Sequence, residues 1–129
     1  MIEAVSGLEP ALLWRHFAAL SSIPRSSKHE KAVLDYVVDL ARQKGCSIIS
    51  DAFGNLVVRK PAHKGYEQAP SVCLQGHLDM VCEKNAGVTH DFLRDPIRLR
   101  REGPKLKATQ TTLGADNGIG VAAILALPE

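Results

Sequence analysis

The sequence predicts an α/β fold, with helices on both faces of a mixed sheet. Two observations lead to this prediction. Apolar residues recur with helical spacing in two early segments, and residues 71–75 form a short apolar run between turn residues. Such a run is expected of a strand that is buried on both faces of a parallel sheet. The 129 residues amount to one domain at most.

The first predicted helix has Pro10 in its first turn, where proline is tolerated, and runs to about Leu20. The Ile23-Pro24 pair should end it, because a residue before proline avoids the helical region. One face of this helix is apolar and consists of Leu13, Trp14, Phe17 and Leu20.

The second helix is predicted to begin at Ser27, which has capping-box spacing with Glu30. Lys44 and Gly45 form a suitable C-terminal end. Between these ends lies an apolar stripe of helical period, which consists of Val33, Leu34, Val37, Leu40 and Ala41.

Strands and loops follow, and an apolar helix comes last. That helix has too little of this chain to pack against, so we expect the domain to be incomplete and residues 1–129 to be its N-terminal portion. In order, the predictions are strands at 46–50 and 55–60 around a turn at 51–54, a polar loop at 61–70, the buried strand at 71–75, an irregular connection at 80–95, a hairpin of 96–101 with 105–108, and the helix at 121–127.

Composition narrows the class of protein. The 16 basic and 14 acidic residues are mixed along the chain, so nothing favours nucleic acid or an anionic membrane as a partner. No signal peptide is evident, and no apolar stretch approaches the ~20 residues that cross a bilayer. Three cysteines, an odd number without zinc-ribbon spacing, are typical of reduced cytoplasmic thiols, and Cys73 is expected in the core.

Residues that could bind a metal follow the predicted buried strand. His77 and Asp79 lie two positions apart, so on extended backbone they point to the same side. An imidazole there can bind a metal while a neighbouring carboxylate fixes its tautomer. Taken alone, the pair is a weak signal and is more typical of a hydrogen-bonded histidine and a loop aspartate.

Asp116 lies at the start of the last helix, within the glycine-rich stretch 114–120. It could be a helix N-cap or a carboxylate ligand. The glycine spacing fits neither the dinucleotide fingerprint nor the P-loop, so a nucleotide site is disfavoured. Together with His77 and Asp79, it suggests a two-metal hydrolase, in which a carboxylate bridges two zinc ions that activate water and polarise a carbonyl.

These residues lie in stretches that resemble the aminoacyl-histidine dipeptidases, also called peptidase D. That family belongs to a larger group with carboxypeptidase G, the aminoacylases and peptidase T. The resemblance covers essentially the whole chain in register. It is carried by Leu74-Gln-Gly-His77-Leu-Asp79-Met-Val81, His90-Asp-Phe92, Asp95-Pro-Ile97 and Thr111-Thr-Leu-Gly-Ala-Asp116-Asn-Gly-Ile-Gly-Val121, with weaker support from 13–24 and 54–61.

The resemblance implies a role for each of the three residues. His77 matches a zinc ligand, Asp79 the catalytic-site aspartate that orients this histidine, and Asp116 the carboxylate that bridges both zinc ions, followed by a cis peptide to Asn117. It also implies a zinc-peptidase catalytic domain, two zinc ions that cobalt or manganese could replace, and hydrolysis of dipeptides, especially Xaa-His dipeptides such as β-alanyl-histidine.

The same resemblance implies parts that this chain does not contain. These are the general-base glutamate, the remaining metal ligands and a domain that pairs subunits, so we expect a homodimer in the full-length protein and an inactive fragment here. The alternatives are a tripeptidase, deacylase or carboxypeptidase of the same group, or a scaffold without catalysis. Surface positions or local hydrogen bonds are expected for the other histidines, which are His16, His29, His63 and His90. For His90, in the loop after the site, a substrate contact is the less favoured alternative.

Overall fold

The computed structural model describes residues 2–127, so Met1, Pro128 and Glu129 lie outside the described residues. The predicted α/β class is confirmed. A short 3-10 helix, Ile2–Val5, precedes the regular elements, which in chain order are α1 (Ala11–Ser22), α2 (Lys31–Gln43), β1 (Ser47–Ser50), β2 (Leu56–Arg59), β3 (Leu99–Glu102), β4 (Lys105–Ala108) and α3 (Ala115–Ala126).

The core lies chiefly between α1 and α3, which pack against each other. Phe17 and Leu20 of α1 are each 1% exposed, and Ala122 of α3 is fully buried. Trp14 meets Phe17 edge to face, with ring centroids 6.2 Å apart. The apolar face predicted for the first helix is therefore the face that forms the core.

The predicted end of α1 is confirmed to within two residues. The helix stops at Ser22, and Ile23 is extended, with φ −104° and ψ 121°. This is the conformation that the following proline imposes on its neighbour. At the other end, Pro10 is the N-cap and not a first-turn residue, and the Glu9-Pro10 peptide is cis.

The predicted start of the second helix is wrong. Helix α2 begins at Lys31, and the Ser27 hydroxyl donates to Asp79 Oδ2, 2.5 Å away, and not to a helix amide. Lys28 adopts a left-handed conformation, with φ 72°, that no helix first turn can contain. The segment around Ser27 pairs with a distant part of the chain and does not form a helix cap, because the Met80 amide donates to the Arg25 carbonyl at 3.0 Å.

The rest of α2 follows the prediction. Its buried residues are Val33, Val37 and Ala41, all members of the predicted stripe. The helix ends at Gln43, and Gly45 has φ 70°. A glycine in this left-handed conformation just past a helix is a common C-terminal stop.

The buried strand predicted at 71–75 is wrong. Residues 71–75 are in no helix or strand, Val72 is 82% exposed and Leu74 52% exposed. Cys73, which was expected in the core, is exposed as well. An apolar run becomes a buried strand only if other strands lie beside it, and no strand of residues 2–127 pairs with this one.

The two predicted hairpins are confirmed, and they form separate two-stranded antiparallel sheets. Strand β1 pairs with β2, and β3 pairs with β4. In the turn between β1 and β2, the Asp51 carboxylate accepts from the backbone amides of Phe53 and Asn55, both at 2.9 Å. Within residues 2–127, these hairpins take the place of the mixed sheet covered on both faces.

Helix α3 begins at Ala115, six residues earlier than predicted, and is kinked. Asp116 and Asn117 have non-helical backbone angles inside it. The apolar residues of 121–127 predicted the C-terminal part of the helix, but they gave no sign of its irregular start. No helix within residues 2–127 is long and apolar enough to cross a membrane.

We expect Phe17→Ala to destabilise the protein by about 3–5 kcal/mol, because it removes a fully buried ring between α1 and α3 and leaves a cavity. Thermal or denaturant unfolding would measure the loss. Phe53→Ala is the matched control, because that ring is 93% exposed. Equal stability losses in the two variants would contradict this account of the core.

Candidate metal centre

The structure brings His77, Asp79 and Asp116 together. Nδ1 of His77 lies 3.1 Å from Asp79 Oδ1, and Nε2 lies 3.1 Å from Asp116 Oδ1. His77 and Asp116 are 39 residues apart in the chain. The imidazole therefore stands between two carboxylates, one at each ring nitrogen.

Asp79 is itself held in place. Its Oδ2 accepts from the Ser27 hydroxyl at 2.5 Å, while Oδ1 faces His77. The hydrogen bond from Ser27 lowers the pKa of the Asp79 carboxyl, and the contact with His77 lowers it further. A carboxylate that keeps its negative charge can hold the histidine ring in one orientation.

The charge state of His77 reflects its neighbours. Partial desolvation opposes protonation, but the hydrogen bonds with Asp116 and Asp79 outweigh it, so the pKa of the imidazole is raised. Without a metal ion, both ring nitrogens can donate to carboxylates, which favours the imidazolium. A metal ion at Nε2 would displace a proton that Asp116 otherwise attracts.

Asp116 is not the helix N-cap. Gly114 occupies that position, with φ 71°, and the Asp116 carboxylate reaches His77 instead. The Asp116 side chain is 93% exposed. The Asp116-Asn117 peptide is cis, as the resemblance implies.

The three side chains fit part of a zinc site. Zinc accepts imidazole nitrogen and carboxylate oxygen, and two such ligands of one tetrahedral ion lie ~3.3–3.5 Å apart. The Nε2 to Oδ1 distance of 3.1 Å is within a few tenths of an ångström of that separation. No group of three or more histidine, cysteine or acidic side chains able to hold a metal exists within residues 2–127.

The other histidines and cysteines considered as possible site residues have surroundings that differ from the candidate metal centre. The ring of His90 packs against Phe92, with centroids 4.4 Å apart, and its backbone carbonyl accepts from Lys84. His16 is buried in α1. Burial raises the pKa of the Cys82 thiol, which keeps it protonated and unreactive.

Two further residues support this centre. The spacing of Ser27 with Glu30 predicts a helix cap, and nothing in the sequence around Arg25 predicts a role for it. Arg25 is 2% exposed, and its guanidinium donates to the Leu78 and Gly114 carbonyls. These contacts span 53 and 89 residues of chain, so no local pattern could have revealed them.

Comparisons with known proteins agree with the resemblance in the sequence. The chain is 48% identical, over 126 residues, to the cytosol non-specific dipeptidase of Escherichia coli (strain K12). It also superposes on the crystal structure of aminoacylhistidine dipeptidase from Vibrio alginolyticus, with a TM-score of 0.92 and 46% identity. No family model matches the chain.

The coverage of these matches is uneven. They include 98% and 95% of this chain, but only 26% of the first relative and 25% of the second. The chain thus spans about a quarter of the length of the relatives it matches. By sequence and by fold, it is similar to part of each of these two dipeptidases.

Proposed function

We propose that this chain supplies part of the zinc site of a longer, cytoplasmic protein that hydrolyses dipeptides, including Xaa-His dipeptides such as β-alanyl-histidine. The observation that carries the proposal is the placement of His77 between Asp79 and Asp116. That placement occurs in a chain whose relatives are named as dipeptidases.

His77 is the proposed ligand of one zinc ion, through Nε2. Asp79 engages Nδ1, so the proton stays on that nitrogen and the lone pair of Nε2 is left for the metal. Asp79 thereby acts as a positioning carboxylate. Ser27 fixes the far oxygen of Asp79, which stops the carboxylate from rotating away from the ring.

Asp116 is the proposed bridge between two zinc ions. Its Oδ1 faces His77, and as a carboxylate it would offer both oxygens to metal ions. The large exposure of the side chain gives both oxygens room for ligands. When bound, the two zinc ions supply a Lewis acid for the scissile carbonyl and a water of lowered pKa; cobalt or manganese can replace zinc at such ligands.

The remaining ligands, the general base and a subunit-pairing domain are proposed to come from the rest of the longer protein. Of the described residues, His77 and Asp116 are the two that we propose as direct zinc ligands. A chain that contributes two ligands would also suit a scaffold without catalysis, and hydrolysis by the full-length protein distinguishes the two.

We expect the full-length protein to hydrolyse β-alanyl-histidine, and a chelator to abolish the reaction until zinc is restored. Release of histidine would measure it. Tripeptides, N-acyl amino acids and longer peptides should be poorer substrates, and a preference for any of these would move the protein to another activity of the group.

Asp116→Asn should lower this activity by at least 100-fold, because the neutral amide is a poor bridge between two cations. Asp35→Asn is the matched control, since Asp35 makes only a surface ion pair with Lys31. A protein that binds two zinc ions yet cleaves no dipeptide would refute the dipeptidase assignment but keep the metal site.

We expect Ser27→Ala to leave the helix content unchanged and to weaken zinc binding by about tenfold, because Ser27 supports Asp79 and does not cap α2. Circular dichroism and competition with a chromophoric chelator would measure the two effects. Ser22→Ala, which removes a hydroxyl bonded within α1, is the control. A loss of helix with unchanged zinc affinity would favour the capping role.

The isolated chain of residues 1–129 should bind zinc weakly and hydrolyse no dipeptide, because His77 and Asp116 alone cannot complete the coordination of either ion. Titration with zinc and an assay with β-alanyl-histidine would test this. Turnover that matches the full-length protein would contradict the proposed division of the site.

A further inference from the structure

We propose that Arg25 is a positioning residue that sets the separation of His77 and Asp116 by holding the backbone of both segments that carry them. The inference rests on the proposed function, because it concerns the same metal centre. Its observable is the geometry and affinity of the metal site, which can be measured apart from hydrolysis.

The guanidinium joins the two segments directly. Nη1 donates to the Leu78 carbonyl at 3.0 Å, and Leu78 lies between His77 and Asp79. Nη2 donates to the Gly114 carbonyl at 2.6 Å, two residues before Asp116. One side chain therefore connects the chain next to each proposed ligand.

The backbone of Arg25 makes a further connection. Its carbonyl accepts from the Met80 amide at 3.0 Å. Ser26 and Met80 form an isolated parallel β-bridge. The segment 25–27 thus fixes 78–80 through the backbone and through the Ser27 hydroxyl. Only the guanidinium extends this support to Gly114.

Two glycines make room for the guanidinium. A Cβ atom at Gly114 would lie 2.6 Å from Arg25 Nη2 and 2.7 Å from Met80 Sδ, and one at Gly118 would lie 2.7 Å from Arg25 Nη2 and 3.2 Å from Phe17 Cε2. The distances to Arg25 are too short for real contacts. These glycines flank Asp116, so the helix start that carries the proposed bridging carboxylate leaves room for the Arg25 side chain, with Met80 and Phe17 beside it.

The burial of Arg25 is hard to explain by packing alone. The residue is 2% exposed, its guanidinium donates to backbone carbonyls, and the negative charge of Asp79 offsets only part of its desolvation. Burial lowers the pKa of the guanidinium, which is the sign of a charge held away from water. An apolar side chain would fill the space at lower cost, but it could not bind two carbonyls.

Two separate N–H donors on one side chain are required, because the Leu78 and Gly114 carbonyls belong to different segments. The planar guanidinium presents donors on separate nitrogens in fixed directions, whereas a lysine ammonium is one point charge on a flexible stem. Lysine at this position could reach one segment and would release the other.

The test uses the full-length protein, with Arg25→Lys and Arg25→Gln as variants and Arg101→Lys as the matched control. Arg101 also donates to a distant backbone carbonyl, that of Ser6 at 3.2 Å, but it is exposed and makes no contact with the metal centre. Zinc affinity is measured by competition with a chromophoric chelator. The visible spectrum of the protein loaded with Co²⁺ reports the coordination geometry.

We expect both Arg25 variants to weaken zinc binding by at least about tenfold and to change the Co²⁺ spectrum, while Arg101→Lys changes neither. Arg25→Lys should lower kcat more than it raises KM for a dipeptide. Variants that unfold at lower temperature yet bind zinc and Co²⁺ like the wild type would reduce Arg25 to a packing role and overturn the inference.

Gly118→Ala decides the question if neither Arg25 variant folds. It pushes the end of the guanidinium aside and leaves the charge in place, so zinc affinity should fall in the same direction. Unchanged affinity in this variant overturns the inference, as would a wild-type protein that binds no zinc. A wild-type protein that binds zinc but cleaves no dipeptide refutes only the proposed function, because the affinity test of Arg25 still stands.

Discussion

Residues 25–27 run beside residues 78–80, and this pairing supports the side chains of the candidate metal centre. It begins with the hydrogen bond from the Met80 amide to the Arg25 carbonyl. It places the Ser27 hydroxyl on Asp79 and directs the Arg25 guanidinium towards Gly114. Without this pairing, the segment that carries His77 would have no neighbouring strand-like segment among the described residues, because residues 71–75 join no strand.

The packing of α1 against α3 provides the second fixed point. Phe17 lies in this core, and α3 carries Asp116 at its irregular start. The segment with Arg25 follows α1 directly, so one helix and its exit determine where both carboxylates stand relative to His77. Apolar burial thus supplies the rigidity that a metal site requires, although the site itself is polar and exposed.

Charge at the candidate metal centre holds the histidine between two carboxylates. Each ring nitrogen faces a carboxylate, and the pKa of His77 is raised in consequence. A divalent cation held at Nε2 in place of the proton would keep a positive charge between the same two carboxylates. The arrangement therefore suits a metal ion without requiring the side chains to move far.

Local periodicity, turn chemistry and recognisable motifs were enough to predict the α/β class, the two hairpins, the apolar faces of α1 and α2, and the three residues that meet at the centre. Three other features came from the folded chain alone: Ser27 supports Asp79, residues 71–75 stay exposed, and Arg25 joins the two segments that carry the proposed ligands. Each of these depends on contacts between residues far apart in the chain, or on strands that must lie alongside, and neither can be deduced from the order of neighbouring residues.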